Sequence, residues 1–359
     1  MEVWLHVGVS KTGTSALQVA LAKLRPKLAD AGVWYPEAMS PETEQLAQNG
    51  QITSGNAVEL GWFASESLMP RYPADRSVTF RWLRRVIAEA EGRTLLFSSE
   101  ALQEPDPDKG AALAALLTEG GRLLRILYYV RHALDYCVAS FAQWLKVGIT
   151  PRTGSDLDSY VANWIIPFPS QLETWATIAG RASVSCRLYD EDRPALLVRF
   201  LETVYPPAAL AVQDELSIEE MQLVNRSPTA SELRLLCRLN EEPDAASLCH
   251  WLTEGVMNEP PKVPEAPVVS EAAFVAFEAN NAERVKALNE KWLLPAGREQ
   301  LRLTSGWVRV GPSRSAHVEE AFALCFINTV RRMEQEQHAL RADIKRLRER
   351  HEMMFGTRS

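Results

Sequence analysis

A lysine, two glycines and three hydroxyl-bearing residues crowd one short stretch near the start of this 359-residue sequence: Gly8, Lys11, Thr12, Gly13, Thr14 and Ser15. Glycines let a chain bend so that successive backbone N–H groups converge on one point, and the hydroxyls and the ammonium add further donors. Together they suit the capture of a phosphate-like anion. Gly8 and Gly13 have the spacing of the outer glycines in a nucleotide phosphate loop, GxxxxGK[ST]. In that loop, however, the lysine follows the second glycine and reaches the β- and γ-phosphates, while the adjacent hydroxyl holds Mg²⁺. Here Thr14 follows Gly13, and the cation sits at the turn itself, as Lys11. A cation there fits one phosphate bearing one transferable group better than a triphosphate–metal chain.

Two further groups of residues have types suited to the same chemistry. Arg131 follows an apolar run, and Ser140 stands nine residues on, two and a half helical turns away. A guanidinium fork with a hydroxyl beside it suits the oxygens of a second phosphate. Glu100 closes another apolar run, Thr94-Leu95-Leu96-Phe97-Ser98-Ser99, where a carboxylate can serve as a general base. His6, two residues before the loop glycine Gly8, is the alternative base, and His132, beside Arg131, ranks third.

The elements that must position these residues follow from the pattern of apolar residues. Residues 3–7 read as a buried strand, and residues 14–31 as a helix with Leu17, Leu21, Leu24 and Leu28 on one face. Residues 32–36 form a short second strand, and 37–75 a long polar loop punctuated by Pro and Gly that is a candidate acceptor-binding wall. A helix over 76–91 leads to the strand ending at Glu100. A helix over 111–117 precedes the strand 123–130, and a helix covers 133–146. A second polar loop spans 148–158, residues 160–179 are helical with a break at Pro167 and Pro169, and 182–189 is a strand ending in Tyr189. Helices follow at 230–240 and 270–292, with a stiff Pro-rich connector at 258–267 between them. Strands alternating with helices predict an α/β fold, a mainly parallel sheet flanked by helices in three layers, with ligands at the carboxyl ends of the strands.

The two site motifs carry a family resemblance. His6 to Gln18, in the pattern HxGxxKTGTSxLQ, resembles the 5′-phosphosulfate loop of sulfotransferases that use 3′-phosphoadenosine-5′-phosphosulfate (PAPS). Tyr129, Val130 and Arg131, followed by Asp135, Ser140, Phe141, Gln143, Leu145 and Lys146, resemble the family's 3′-phosphate site. The resemblance implies a P-loop-like fold and transfer of a sulfuryl group to a hydroxyl or amine, with 3′-phosphoadenosine-5′-phosphate (PAP) as product and no metal required. It assigns Lys11 to the bridging oxygen and Thr12, Gly13, Thr14 and Ser15 to the 5′-phosphate. Arg131 and Ser140 fall on the 3′-phosphate, and Tyr189 lies near the adenine. It places Glu100 at the strand end where the cytosolic branch of the family carries its catalytic histidine. Asn225-Arg226-Ser227 resembles bacterial members. Two departures stand out: Ala16 occupies the place of an adenine-stacking Trp, and no Arg-Lys-Gly phosphate motif closes the chain, where Arg331 and Arg332 are the only substitutes. The resemblance covers residues 3–190, the nucleotide half of a domain expected to span 1–315.

The rest of the composition narrows the alternatives. A formal net charge of −7 argues against nucleic acid and against a highly sulfated polymer as partner. A small metabolite, lipid or sugar acceptor is expected, with Trp34, Trp62, Trp144 and Trp164 as pocket or core residues. Five scattered cysteines without CxxC spacing read as reduced thiols in a cytoplasmic protein and supply no zinc site. The sequence begins Met-Glu and enters a strand directly, without a signal-peptide pattern. No apolar run reaches the ~18 residues of a membrane span. Residues 316–359 form a separate amphipathic helix. In it Phe326, Val330, Met333, Gln337, Leu340, Ile344, Leu347, His351 and Met354 repeat as a heptad seam. That helix either pairs two copies as a coiled coil or packs back on the body. Acidic residues mixed among its basic ones argue against a membrane-surface role. Two other functional classes remain, an atypical P-loop kinase using ATP–Mg²⁺ and a non-catalytic scaffold acting through the C-terminal helix.

Overall fold

Strand β1 (Glu2–Val7) buries both of its faces: Val3, Leu5 and Val7 enter one apolar cluster and Trp4 enters another. A strand of that kind belongs in the middle of a parallel sheet, and β1 is the centre of this one. It pairs in parallel with β3 (Thr94–Ser99) on one side and β4 (Leu123–Val130) on the other. Outside these lie β2 (Val33–Trp34) and β5 (Val184–Leu188), also parallel, giving the order β2-β3-β1-β4-β5. The chain leaves β1 toward β2 but leaves β4 toward β5, so a crevice opens between their carboxyl ends. Register sets Val7 opposite both Ser99 and Tyr128, so the loops after β1, β3 and β4 begin at nearly one level. The structure is a computed structural model and describes residues 1–65, 76–213, 215, 227–257, 265–312 and 317–355.

Helices cover both faces of the sheet. On one, α1 (Thr14–Lys23) and α2 (Arg25–Asp30) pack through Leu17, Leu21 and Leu28 beside α11 (Leu196–Val204) and α12 (Pro206–Val212). On the other lie α5 (Arg76–Glu89), α6 (Pro107–Thr118), α7 (Ala133–Lys146), α8 (Leu157–Asn163) and α9 (Phe168–Ala179). Helices Ala230–Leu239, Ala245–Leu252 and Glu271–Leu288 extend that second layer. Buried Asn281 accepts from the amide of Ile166 and donates to the carbonyls of Trp164 and Phe277, fixing the irregular link between α8 and α9.

Several expectations needed revision. The helix expected over 14–31 is two helices meeting at Leu24, because Pro26 lacks an N–H and its ring would collide with the carbonyl four residues earlier. The stretch 37–75 is not one loop. It holds α3 (Pro41–Gln48), capped by Ser40 Oγ accepting from Thr43, and α4 (Val58–Ala64). Pro41 there starts a helix rather than breaking one. Residues 66–75, most of the Pro-rich 258–267 and the pair Asn225-Arg226 lie outside the described residues. The C-terminal helix is long as expected, His317–Phe355 among the described residues. Its first turns pack on the body through Ala323, Ile327 and Val330. Among the described residues no helix is long and apolar enough to cross a membrane, and all five cysteines are free thiols.

One ion pair is buried in the sheet's edge layer. Asp192 accepts from Arg187 at 2.5 and 2.6 Å and from the Tyr129 hydroxyl at 2.9 Å, while Arg187 also donates to Thr203. Removing one partner of such a pair strands the other charge in the core. Asp192→Ala should therefore lower unfolding free energy by about 3–5 kcal/mol in urea titrations, whereas Arg85→Ala, an exposed pair, should change it by less than about 0.5 kcal/mol. Equal effects from the two variants would refute the buried-charge account.

Candidate active site

The loop between β1 and α1 bends through two left-handed residues, Lys11 (φ 66°) and Gly13 (φ 76°). A side chain at Gly13 is excluded twice over. The φ value disfavours it, and a Cβ would stand 2.5 Å from Leu196 and 2.8 Å from the Tyr189 ring. Thr12 and Thr14 both donate their hydroxyls to the carbonyl of Val9, at 2.6 and 3.0 Å, and so cinch the loop. Gly13 caps α1 without any side-chain acceptor, and the first intrahelical bond comes from Leu17. Among the described residues nothing accepts from the amides of Thr14, Ser15 and Ala16. Three N–H groups and the positive end of the helix dipole thus remain open at the sheet's carboxyl edge.

The neighbouring helix start is closed. At α7, the amides of Ala133 and Leu134 donate to the carbonyls of Arg302 and Leu303, and the amide of His132 donates to Asp190. The segment responsible is pinned at Leu301 by reciprocal bonds with Asn289 and tied back through Arg302 N–H to His132 Nδ1 and Ser305 N–H to Asp135. His132, spent on that clamp, does not line the cavity described next.

A cavity of about 940 Å³ lies over the open helix start. Lys11, Gly13, Thr14, Ser15, Glu100, Arg131 and Tyr189 all line it, although they come from four different strand ends. Arg131 donates to the Lys11 carbonyl at 3.0 Å, its Nε is enclosed without a partner among the described residues, and its guanidinium lies 5.6 Å from the ring centroids of both Tyr189 and Trp307. Such a sandwich holds the planar cation in place. Lys11 Nζ donates to Gln143 Oε1 of α7. Burial pushes the Lys11 ammonium below its ordinary value, with Glu100 opposing and Arg131 adding to the shift. Burial likewise pushes the Glu100 carboxyl above the glutamate range, with Lys11 pulling the other way. Desolvation thus moves both groups toward their neutral forms, and each one's charge opposes the shift of the other. Ser99 orients the backbone at Glu100 by accepting from Ala101 and donating to Ser54. Gly55 permits that contact, since a Cβ there would lie 2.0 Å from the Ser98 carbonyl.

Three expected residues stand apart from this set. Thr12 is buried and its hydroxyl is used inside the loop. His6 is fully buried between Phe200 and Tyr129, with Nδ1 on Ser98 Oγ, and burial drives it down to about 3. It does not line the cavity, because alternate residues of β1 face opposite layers and His6 falls on the α1–α11 side. Ser140 also lies off the cavity wall, its Oγ enclosed beside the Tyr136 phenol. Gln143, one turn on, is the residue α7 contributes.

Thr43, Leu46, Ile52, Thr53 and Ser54, from the stretch expected to form an acceptor wall, line the mouth. None of Trp34, Trp62, Trp144 and Trp164 lines the cavity. Trp164 stacks in the core on Phe277, and Trp34 lies under Arg93. The tryptophan that does line it is Trp307, which no local pattern announced. Arg331 is taken by Asp244 and Glu242, far along another surface. Among the described residues no three His, Cys, Asp or Glu side chains gather as a metal-binding group. Compared with protein-family models, curated proteins and solved structures, the chain has no match.

The raised Glu100 value sets a sign for stability. The folded state holds that proton more tightly than the unfolded chain, so ionising Glu100 costs stability as pH rises through the raised value. Glu100→Gln should gain stability over the parent protein as pH goes from about 4 to about 8, read as urea midpoints at each pH. A difference that stays flat, or shrinks, would show that Glu100 is solvated.

Proposed function

We propose that the protein is a PAPS-dependent sulfotransferase with a P-loop-like fold, acting on a hydroxyl or amine of a small metabolite, lipid or sugar. The observation that carries this reading is the open amide turn at Thr14, Ser15 and Ala16, with Lys11 bent over it and Arg131 and Glu100 on the same cavity. PAPS would supply an activated sulfuryl group on its 5′-phosphate. The α1 amides and the hydroxyls of Thr14 and Ser15 would hold that phosphate, and Gly13 leaves room for close backbone approach. Arg131, locked by Tyr189 and Trp307 and with Nε unpaired, would bind the 3′-phosphate. Ser140 would join it only after its enclosed hydroxyl turns toward the cavity.

In this reading Glu100 takes the proton from the acceptor hydroxyl as the acceptor oxygen bonds to sulfur and the bridging S–O bond breaks. Lys11 then meets the negative charge that develops on the leaving phosphate oxygen. Burial supports both roles, since it makes Glu100 a stronger base than a solvated glutamate and places the ammonium in a medium of low dielectric constant. The mixed apolar and hydroxyl mouth around Leu46, Ile52 and Ser54 fits an acceptor that is not densely charged.

Calorimetry tests the reading. PAP should bind without metal and more tightly than ATP–Mg²⁺, and Arg131→Ala should weaken PAP about 10- to 100-fold, the worth of one charged hydrogen-bonding partner. In turnover assays on a panel of hydroxyl acceptors, Lys11→Ala should lower kcat by about 10²–10³, a larger effect than it has on PAP affinity. A preference for ATP–Mg²⁺ would move the protein to the kinase class, and binding of neither nucleotide would leave a scaffold.

A further inference from the structure

The C-terminal helix carries one apolar seam, and among the described residues the body covers only its first turns. Its root is fastened through buried Ala323, Ile327 and Val330, through Glu334 accepting from Ser247 and Trp251, and through Arg331 on Asp244 and Glu242. Past that root the seam Met333, Gln337, Leu340, Ile344 and Leu347 runs on uncovered. Leu340 and Leu347 are 60% and 64% exposed, and Met333 and Ile344 46% and 42%. Apolar side chains spaced strictly by sevens on one helix need a partner with the same period.

We infer that this seam pairs with the same seam of a second copy of the chain, as a parallel two-stranded coiled coil. The argument for that occupant is self-complementarity. With Ile344 at position a and Leu340 and Leu347 at d, the seam has the β-branched and γ-branched alternation that favours two parallel strands, and Gln337 at a fixes the register. By sequence position Glu336 falls at g, and Arg341 at e of the following heptad. In a parallel pair each g residue meets the next e residue of the partner, so Glu336 of one copy meets Arg341 of the other and joins opposite charges. The root contacts hold each helix on its own body, so pairing would set two bodies side by side at the base of one stalk.

Light scattering on the full chain, with defined variants, tests this. The expected mass is twice 40.2 kDa at micromolar concentration. Leu340→Glu with Leu347→Glu should convert the protein to monomer while its urea unfolding is unchanged. Glu336→Arg should weaken the dimer, and adding Arg341→Glu in the same chain should restore it. In a Cys325→Ser background, Gln337→Cys and Ile344→Cys should each cross-link to its own copy, whereas an antiparallel pair can align at most one of them. A monomeric parent protein would overturn the inference, as would a dimer that survives the double Glu variant, a larger oligomer, or cross-linking at only one cysteine. A monomer that sediments with phosphatidylserine vesicles would assign the face to membranes instead.

Discussion

Two threonine hydroxyls donate to the single carbonyl of Val9, and the rest of the site depends on that shared acceptor. It closes the β1–α1 loop internally, and it spends the two hydroxyls nearest the helix start on a carbonyl rather than on the helix amides. Among the described residues the amides of Thr14, Ser15 and Ala16 are left without an acceptor. Leaving orphan donors exposed forgoes the stabilisation a helix cap would give. The structure offsets this with the deep anchoring of α1 through Leu17 and Leu21.

The contrast with α7 clarifies the design. Both helices begin at the carboxyl edge of adjacent strands, where the fold provides two dipole ends side by side. At α7 the chain's own distant segment, residues 301–305, takes the amides. That clamp delivers Trp307 onto Arg131, so the closed helix start builds the wall of the open one. Tyr189 completes the arrangement by packing on both Gly13 and Arg131. Charge within the cavity is balanced rather than uniformly basic, since Glu100, Asp190 and Glu265 line it with Lys11, Arg131 and Arg193. This suits a place where a proton and an anion are both handled.

Much of the fold was legible in the sequence because its strands bury both faces and so read as apolar runs, as in 126–130. The helix 133–146 was read to the residue, since its apolar face recurs with helical period between clear stops. The misreadings came from residues with two meanings. Pro41 opens a helix, while Pro26 divides one. Gly61 sits inside a helix because α4 presses so closely on Ala101 that a Cβ would stand 2.4 Å away.

The sequence by itself determined the local devices: a Gly–Lys–Gly turn before a helix, a carboxylate and an arginine at strand ends, and a heptad seam. These are set by spacing along the chain, which a sequence states directly. Which devices meet was decided by the tertiary structure alone. Parallel register brought Glu100 and Arg131 to the level of the loop, and strand alternation sent His6 into the opposite layer. The return of residues 301–307 across α7 supplied Trp307 from 176 positions beyond Arg131. Contacts at such separations depend on how layers pack, and packing leaves no periodic trace in the residues that meet.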